Sequence, residues 1–162
     1  MDPVRRYLIV TDHELDQDRL ATKVQQAMAA GPCQFYLLVL AVPPGSSQNV
    51  WGLIAAGEGL APRTGRNEEQ GWQWASHQLA HELTRLRKLG ANADGEAGEP
   101  HPLRAIREVL AKHPADEIIL ATAPHRVTRL LAMDLQHRVH RTFGVPVTVL
   151  GSTRADSQDR SS

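Results

Sequence analysis

Four short segments of the chain are continuously apolar, and the longer segments between them are apolar on one helical face only. The continuous segments are residues 7–10, 35–40, 118–121 and 145–150. Such strands are typical of a sheet covered by helices on both faces, because neither set of side chains contacts water. Residues 91–97 alternate small apolar and polar side chains, which indicates a fifth, edge strand.

The intervening segments carry apolar residues at helical spacing. Four helices are predicted, marked by Leu20, Val24, Ala27 and Met28; by Trp72, Ala75, Leu79, Leu83 and Leu86; by Leu103, Ile106 and Leu110; and by Val127, Leu130, Leu131, Leu135 and Val139. Asp16 is expected to cap the first helix and Pro102 to open the third. The alternation of strand and helix predicts an α/β fold with a single doubly wound, five-stranded parallel sheet flanked by helices.

Two segments do not fit this alternation. Residues 43–66 hold five of the 12 glycines and three of the 10 prolines, without sustained periodicity. We therefore expect a long flexible insertion loop there, inside one domain that spans residues 1–150. Residues 151–162 are polar and lack apolar anchors, so we expect a disordered tail.

Composition narrows the classes of function. The 162 residues include 18 Lys+Arg and 18 Asp+Glu, and a net charge of zero gives no global electrostatic argument for nucleic-acid binding. No apolar run approaches the roughly 20 residues of a membrane span, and residues 1–3 do not resemble a secretory signal. The single Cys33 cannot form an internal disulfide or a cysteine-based zinc site. A cytoplasmic protein without nucleic-acid or membrane partners is expected.

In the predicted sheet, a ligand is expected to bind at the carboxyl ends of the strands. Ligands of open parallel sheets bind where the strand order reverses. If the first and fourth strands are central neighbours, the loops after Val10 and Leu120 form that crevice. Asp12 ends the first strand there and is the better functional candidate of its acidic loop. A structural role, in which Asp12 accepts hydrogen bonds from loop amides, is equally open.

Several local sequences resemble the universal stress protein family, over residues 6–150. Residues 8–12 resemble the family's first strand, which ends in an acidic residue. Residues 98–100, Gly-Glu-Pro, resemble its Gly-x-Pro element before the third helix. Residues 115–120 are similar to its ADLIVMG strand, and residues 145–149 to its closing CPVLVV strand. The order and spacing of the four matches are more specific than any one of them.

The resemblance implies a fold, a function and a partner. The sheet order would be 3-2-1-4-5, and the protein would be a non-catalytic stress-response domain. It also implies a homodimer through the last strand, with Val145, Val147 and Val149 on the dimer edge. The position of the last strand at the edge of the sheet supports this expectation, because an unpaired edge strand exposes backbone donors and acceptors that a second copy can pair with.

The loop after the fourth strand departs from the family pattern. ATP-binding members carry Gly-x2-Gly-x9-Gly-[Ser/Thr] there, and bare backbone amides wrap the phosphates. This chain has no glycine between Gly98 and Gly144, and Pro124 removes an amide donor. Asp134 stands roughly where the last Gly-Ser would be, and its charge repels phosphate. We therefore predict no cofactor and no ATP binding of the family type.

An alternative is that ATP or AMP binds at a rebuilt anion site. Its candidates for nucleotide or anion binding are Asp12, Thr122, His125, Arg126 and Arg129. The last four lie at the start of the fourth helix, where the dipole and free amides attract anions. The structural alternative is favoured: Thr122 or His125 caps the helix, and the arginines are solvated.

No residue pattern predicts a reaction or a metal site. His77 and His81 are one helical turn apart, but they lie opposite the apolar stripe of their helix and are expected to be solvated. No serine occupies a Gly-x-Ser-x-Gly elbow.

The tryptophans are candidates for packing or for a partner surface. Trp72 is assigned to the buried stripe and Trp74 to the opposite side. The loop around Trp51 is a candidate surface for a protein partner, although packing onto the sheet is slightly favoured.

Overall fold

The computed structural model describes residues 3–12, 17–42, 66–121 and 129–150, and for residues 66–68 and 129–132 it describes the backbone alone. These residues form the strands and helices β1 (Arg5–Thr11), α1 (Gln17–Ala30), β2 (Cys33–Leu40), α2 (Arg66–Lys88), β3 (Ala93–Gly98), α3 (Pro102–Lys112), β4 (Glu117–Ala121), α4 (Arg129–Phe143) and β5 (Val147–Leu150). The predicted insertion loop up to residue 65, with Trp51, and the predicted tail lie outside the described residues.

The five strands form one parallel sheet in the order β3-β2-β1-β4-β5. In the central strand β1, Thr11 pairs with Val39 of β2 on one side and with Ala121 of β4 on the other. The chain winds outward from β1 to β3 and then crosses back to β4, so the strand order reverses between β1 and β4. The predicted doubly wound α/β fold and its strand order are confirmed.

Each face of the sheet buries its own apolar cluster. Leu8 and Val10 of β1 pack with residues of α3 and α4, whereas Ile9 between them packs with residues of α1 and α2. All three side chains have no exposed area. Because successive strand residues point to opposite faces, burial on both faces requires the continuous apolar runs seen in the sequence.

The last strand begins later than predicted. Val145 lies in a bend before β5, and its carbonyl oxygen is 2.9 Å from Nδ1 of His140. The β4–β5 ladder starts where the Ile118 amide donates to the carbonyl of Pro146. The predicted strand start at Val145 is therefore wrong by two residues. The flanking Gly144 and Pro146 account for the difference, since the chain is still turning out of α4 there.

The two tryptophans of α2 are placed opposite to the prediction. Trp72 is 37% exposed, whereas Trp74 is half-buried against the cluster that α1 and α2 form on the sheet. The buried line at this end of α2 runs through Gly71 and Ala75, four residues apart. A glycine does not register as an apolar position, so the sequence pattern shifted the stripe onto Trp72.

Gly95 of β3 sits where there is no room for a side chain. A Cβ built on it would overlap the carbonyl oxygen of Leu37 in β2 and would lie 2.8 Å from Cδ1 of Leu79 in α2. The helix can therefore approach this edge strand only because residue 95 is glycine. The same residue weakens the strand pattern in the sequence, where residues 91–97 indicate only an edge strand.

We predict that Gly95→Ala destabilises the fold by about 1–3 kcal/mol, because β3 must move away from the backbone of Leu37 in β2 and from Leu79 in α2 to admit the methyl group. Asn92→Ala is the matched control, since Asn92 is exposed and precedes the same strand. Urea unfolding of both variants measures the difference. Equal midpoints for Gly95→Ala and the unsubstituted protein would show that the contact with Leu37 and Leu79 is not tight.

Candidate functional site

The carboxyl ends of β1 and β4 lie side by side where the strand order reverses. Thr11 and Ala121 pair there and are fully buried. Asp12 follows directly and is 2% exposed, and its backbone carbonyl accepts a hydrogen bond from Oγ1 of Thr11 at 3.2 Å. The structure therefore brings Asp12 to the predicted crevice, at the edge where open parallel sheets bind ligands.

The other predicted site residues are described only in part. Thr122, His125 and Arg126 lie outside the described residues, and Arg129 is described by its backbone as the first residue of α4. The N-terminus of α4 follows β4 at the same edge of the sheet as Asp12. An anion site built from these four residues remains a prediction, and so does the alternative in which Thr122 or His125 caps the helix and the arginines are solvated.

The segment after β3 closes the same edge of the sheet. The amide of Ala41 donates to the carbonyl of Gly98 at 2.8 Å, which joins the ends of β2 and β3. A Cβ on Gly98 would lie 2.5 Å from Cδ1 of Leu38 and 3.3 Å from Cβ of Ala105. The glycine of the Gly-x-Pro element thus allows α3 to lie close against β2 and β3.

His101 is a candidate site residue that the sequence analysis missed. It is 3% exposed and forms the N-cap of α3, where its Nδ1 accepts a hydrogen bond from the backbone N–H of Arg104 at 3.4 Å. Its Nε2 is fully buried and has no hydrogen-bond partner among the described residues. Pro102 follows at the first position of the helix. The available sequence clue is a histidine in place of the usual Ser, Thr, Asp or Asn at a helix start.

The charges near His101 are paired with each other. Nη1 of Arg104 lies 3.2 Å from Oε1 of Glu99, and the first turn of α3 contains no acidic residue. Glu99 therefore offsets the positive charge of this guanidinium, whose side chain is 55% exposed.

The histidines of α2 belong to no candidate metal cluster among the described side chains. His77 and His81 are both exposed on the outer face of the helix, as predicted. Within the described parts of the chain, no group of three or more His, Cys, Asp or Glu side chains could hold a metal ion. Burial raises the pKa of the Cys33 thiol, which reduces the fraction of reactive thiolate.

A cavity of about 350 Å³ lies at the opposite, amino-terminal end of the sheet. Tyr36 lines it and stacks on His113 with ring centroids 4.1 Å apart. Burial raises the pKa of Tyr36 to about 12, helped by the hydrogen bond that its hydroxyl donates to Glu96 at 2.9 Å. Lys112 also donates to Glu96, at 3.0 Å. This network fixes the end of α3 on β2 and β3, so its role is structural.

Among the described helices, none is long and apolar enough to cross a membrane.

Comparison with solved structures identifies the fold. A universal stress protein family structure from Burkholderia pseudomallei superposes with a TM-score of 0.56 at 12% identity, over 91% of this chain and 96% of that one. An Arabidopsis thaliana family structure with AMP bound gives 0.54 at 11% identity, over 96% and 95%. The Archaeoglobus fulgidus universal stress protein in complex with dAMP gives 0.53 at 15% identity, over 92% and 98%.

No family model and no curated protein matches the chain by sequence. The resemblance to universal stress proteins is thus confirmed at the level of the fold.

The Tyr36 network gives a pH prediction. The folded pKa of Tyr36 lies above the unfolded value of 10.0, so the network stabilises the protein fully below pH 10 and less as the pH rises through about 12. An ultraviolet titration should show a tyrosine that ionises near pH 12. That step should vanish in Tyr36→Phe and persist in Tyr7→Phe. Ionisation of Tyr36 near pH 10 would contradict the account.

Proposed function

We propose that the protein is a non-catalytic stress-response domain of the universal stress type. In this proposal it acts as a homodimer through the open edge of β5, and it does not bind ATP in the family manner. The observation that carries the proposal is the edge itself. Among the described strands, β5 pairs with β4 alone, and its four residues Val147–Leu150 include no charged side chain.

The direction of the backbone groups supports pairing at this edge. The carbonyl of Pro146 faces β4, because it accepts from the amide of Ile118 at 2.9 Å. Backbone groups alternate along a strand, so those of Val147 and Val149 point to the open side. Val147 is buried, and Val149 is half-buried against the same core cluster. A second copy related by a two-fold axis would form hydrogen bonds with these backbone groups and cover the exposed part of the Val149 side chain.

We predict that Val149→Pro converts the dimer to a monomer, because proline removes the open-side N–H without removing a β4 hydrogen bond. Val149→Thr is the control, since it keeps the N–H and the β-branched shape. Light scattering coupled to size-exclusion chromatography measures the mass, and circular dichroism checks that both variants are folded. A monomeric unsubstituted protein at micromolar concentration, or a folded dimeric Val149→Pro variant, would contradict the proposal.

A second candidate function is nucleotide binding at the crevice between β1 and β4. The observation that favours it is Asp12, a buried acidic residue at the reversal of strand order. A carboxylate in this position can accept hydrogen bonds from the hydroxyls of a ribose. Two structures of the same fold hold AMP and dAMP. The phosphates would then lie at the rebuilt anion site of Thr122, His125, Arg126 and Arg129.

Calorimetry with ATP, AMP and adenosine, each with and without Mg²⁺, distinguishes the leading proposal from nucleotide binding at the crevice. The leading proposal predicts that ATP and AMP bind no more tightly than adenosine, because the phosphates find no glycine loop. The second predicts micromolar ATP affinity that is lost in Arg126→Ala and kept in Arg141→Ala, an exposed residue in the last turn of α4. That second pattern would favour nucleotide binding at the rebuilt site over the leading proposal.

A further inference from the structure

We propose that His101 is the hydrogen-bond donor of a small-molecule subsite where α3 begins, beside the carboxyl ends of β2 and β3. The ligand presents an uncharged acceptor, a ring nitrogen or a carbonyl oxygen, to Nε2–H of the imidazole. This inference goes beyond the proposed dimer, and it does not require a phosphate site near Arg126.

The capping hydrogen bond determines which ring nitrogen carries the hydrogen. The backbone N–H of Arg104 donates to Nδ1 of His101, so Nδ1 is the unprotonated nitrogen and Nε2 bears the hydrogen. The two ring nitrogens point in diverging directions. Because Nδ1 faces the first turn of α3, Nε2–H points away from the helix.

Because Nε2–H is buried, leaving it without a hydrogen-bond acceptor costs free energy. His101 is 3% exposed, and the Nε2 atom has no partner among the residues that the structure describes. A buried donor without an acceptor loses its hydration and gains nothing in exchange, and such groups are rare in folded proteins. A histidine that merely capped the helix would need only the acceptor Nδ1, and an aspartate carboxylate supplies an acceptor there without an extra buried donor.

The surroundings favour an uncharged acceptor over an anion. In this tautomer the His101 ring is neutral, and the nearby Arg104 is paired with Glu99. Pro102 has no N–H, and the amides of Arg104 and Ala105 donate to the His101 side chain and carbonyl. Three of the first four helix positions thus offer no amide hydrogen to a ligand.

An anion at this position would therefore lose its hydration with little compensation. Apolar residues mark the same region: Leu40 and Val42 at the end of β2 share one buried cluster with Leu103 of α3.

Nuclear magnetic resonance of the full chain with 15N-labelled histidine tests the proposal. The probes are adenosine, whose base offers ring nitrogens, uridine, whose base offers carbonyl oxygens, and inorganic phosphate. Adenosine or uridine should shift the Nε2 resonance of His101, and whichever does so identifies the acceptor. In His101→Asn the affinity for that nucleoside should fall about tenfold, while the melting temperature is kept or raised because asparagine caps the helix.

His113→Asn is the matched control, because His113 is exposed at the other end of α3, and it should leave the affinity unchanged. If His101→Asn does not fold, His101→Ser retains a cap and replaces it. The proposal is overturned if none of the probes shifts Nε2, if phosphate alone does, or if the capped variant binds as tightly as the unsubstituted protein. None of these results bears on the dimer or on Arg126, which the mass measurement and the calorimetry test separately.

Discussion

Burial of the central strand on both faces is the constraint on which the rest of the structure depends. Leu8, Ile9 and Val10 are fully excluded from water, and this is possible only if helices cover each side of β1. The chain must then wind outward on one side and cross back to reach β4. That crossing places the end of β1, with Asp12, at the one position in the sheet where the strand order reverses.

The two edges of this sheet differ in a way that bears on function. β3 carries Asp94 and Glu96, and the latter is held by Lys112 of α3. Charges on an edge strand oppose pairing with another chain. β5 has no charge of its own, and its polar Thr148 hydroxyl is already bonded to Glu117 inside the chain. The asymmetry is consistent with the proposed dimer, in which β5 rather than β3 is the interface.

Most of the fold could be predicted from the sequence, because continuous apolar strands and helical spacing are local properties of the chain. The errors arose at a glycine and a proline, which do not show the pattern of their neighbours. Because Gly71 is not counted as apolar, the buried stripe of α2 was assigned to Trp72. Because Pro146 interrupts the strand pattern, β5 begins two residues later than predicted. Asp12 was found because it ends an obvious strand. His101 was missed because its burial depends on how α3 packs over β2 and β3, which no local pattern encodes.

The most direct test of association through β5 is hydrogen exchange at the Val147 and Val149 amides, measured at several protein concentrations. The account predicts that both amides are protected at high concentration and exchange faster on dilution, as the open-side hydrogen bonds to a second copy are lost. The amide of Thr148, which faces β4, should stay protected throughout. Fast exchange of Val147 and Val149 at every concentration would contradict the account.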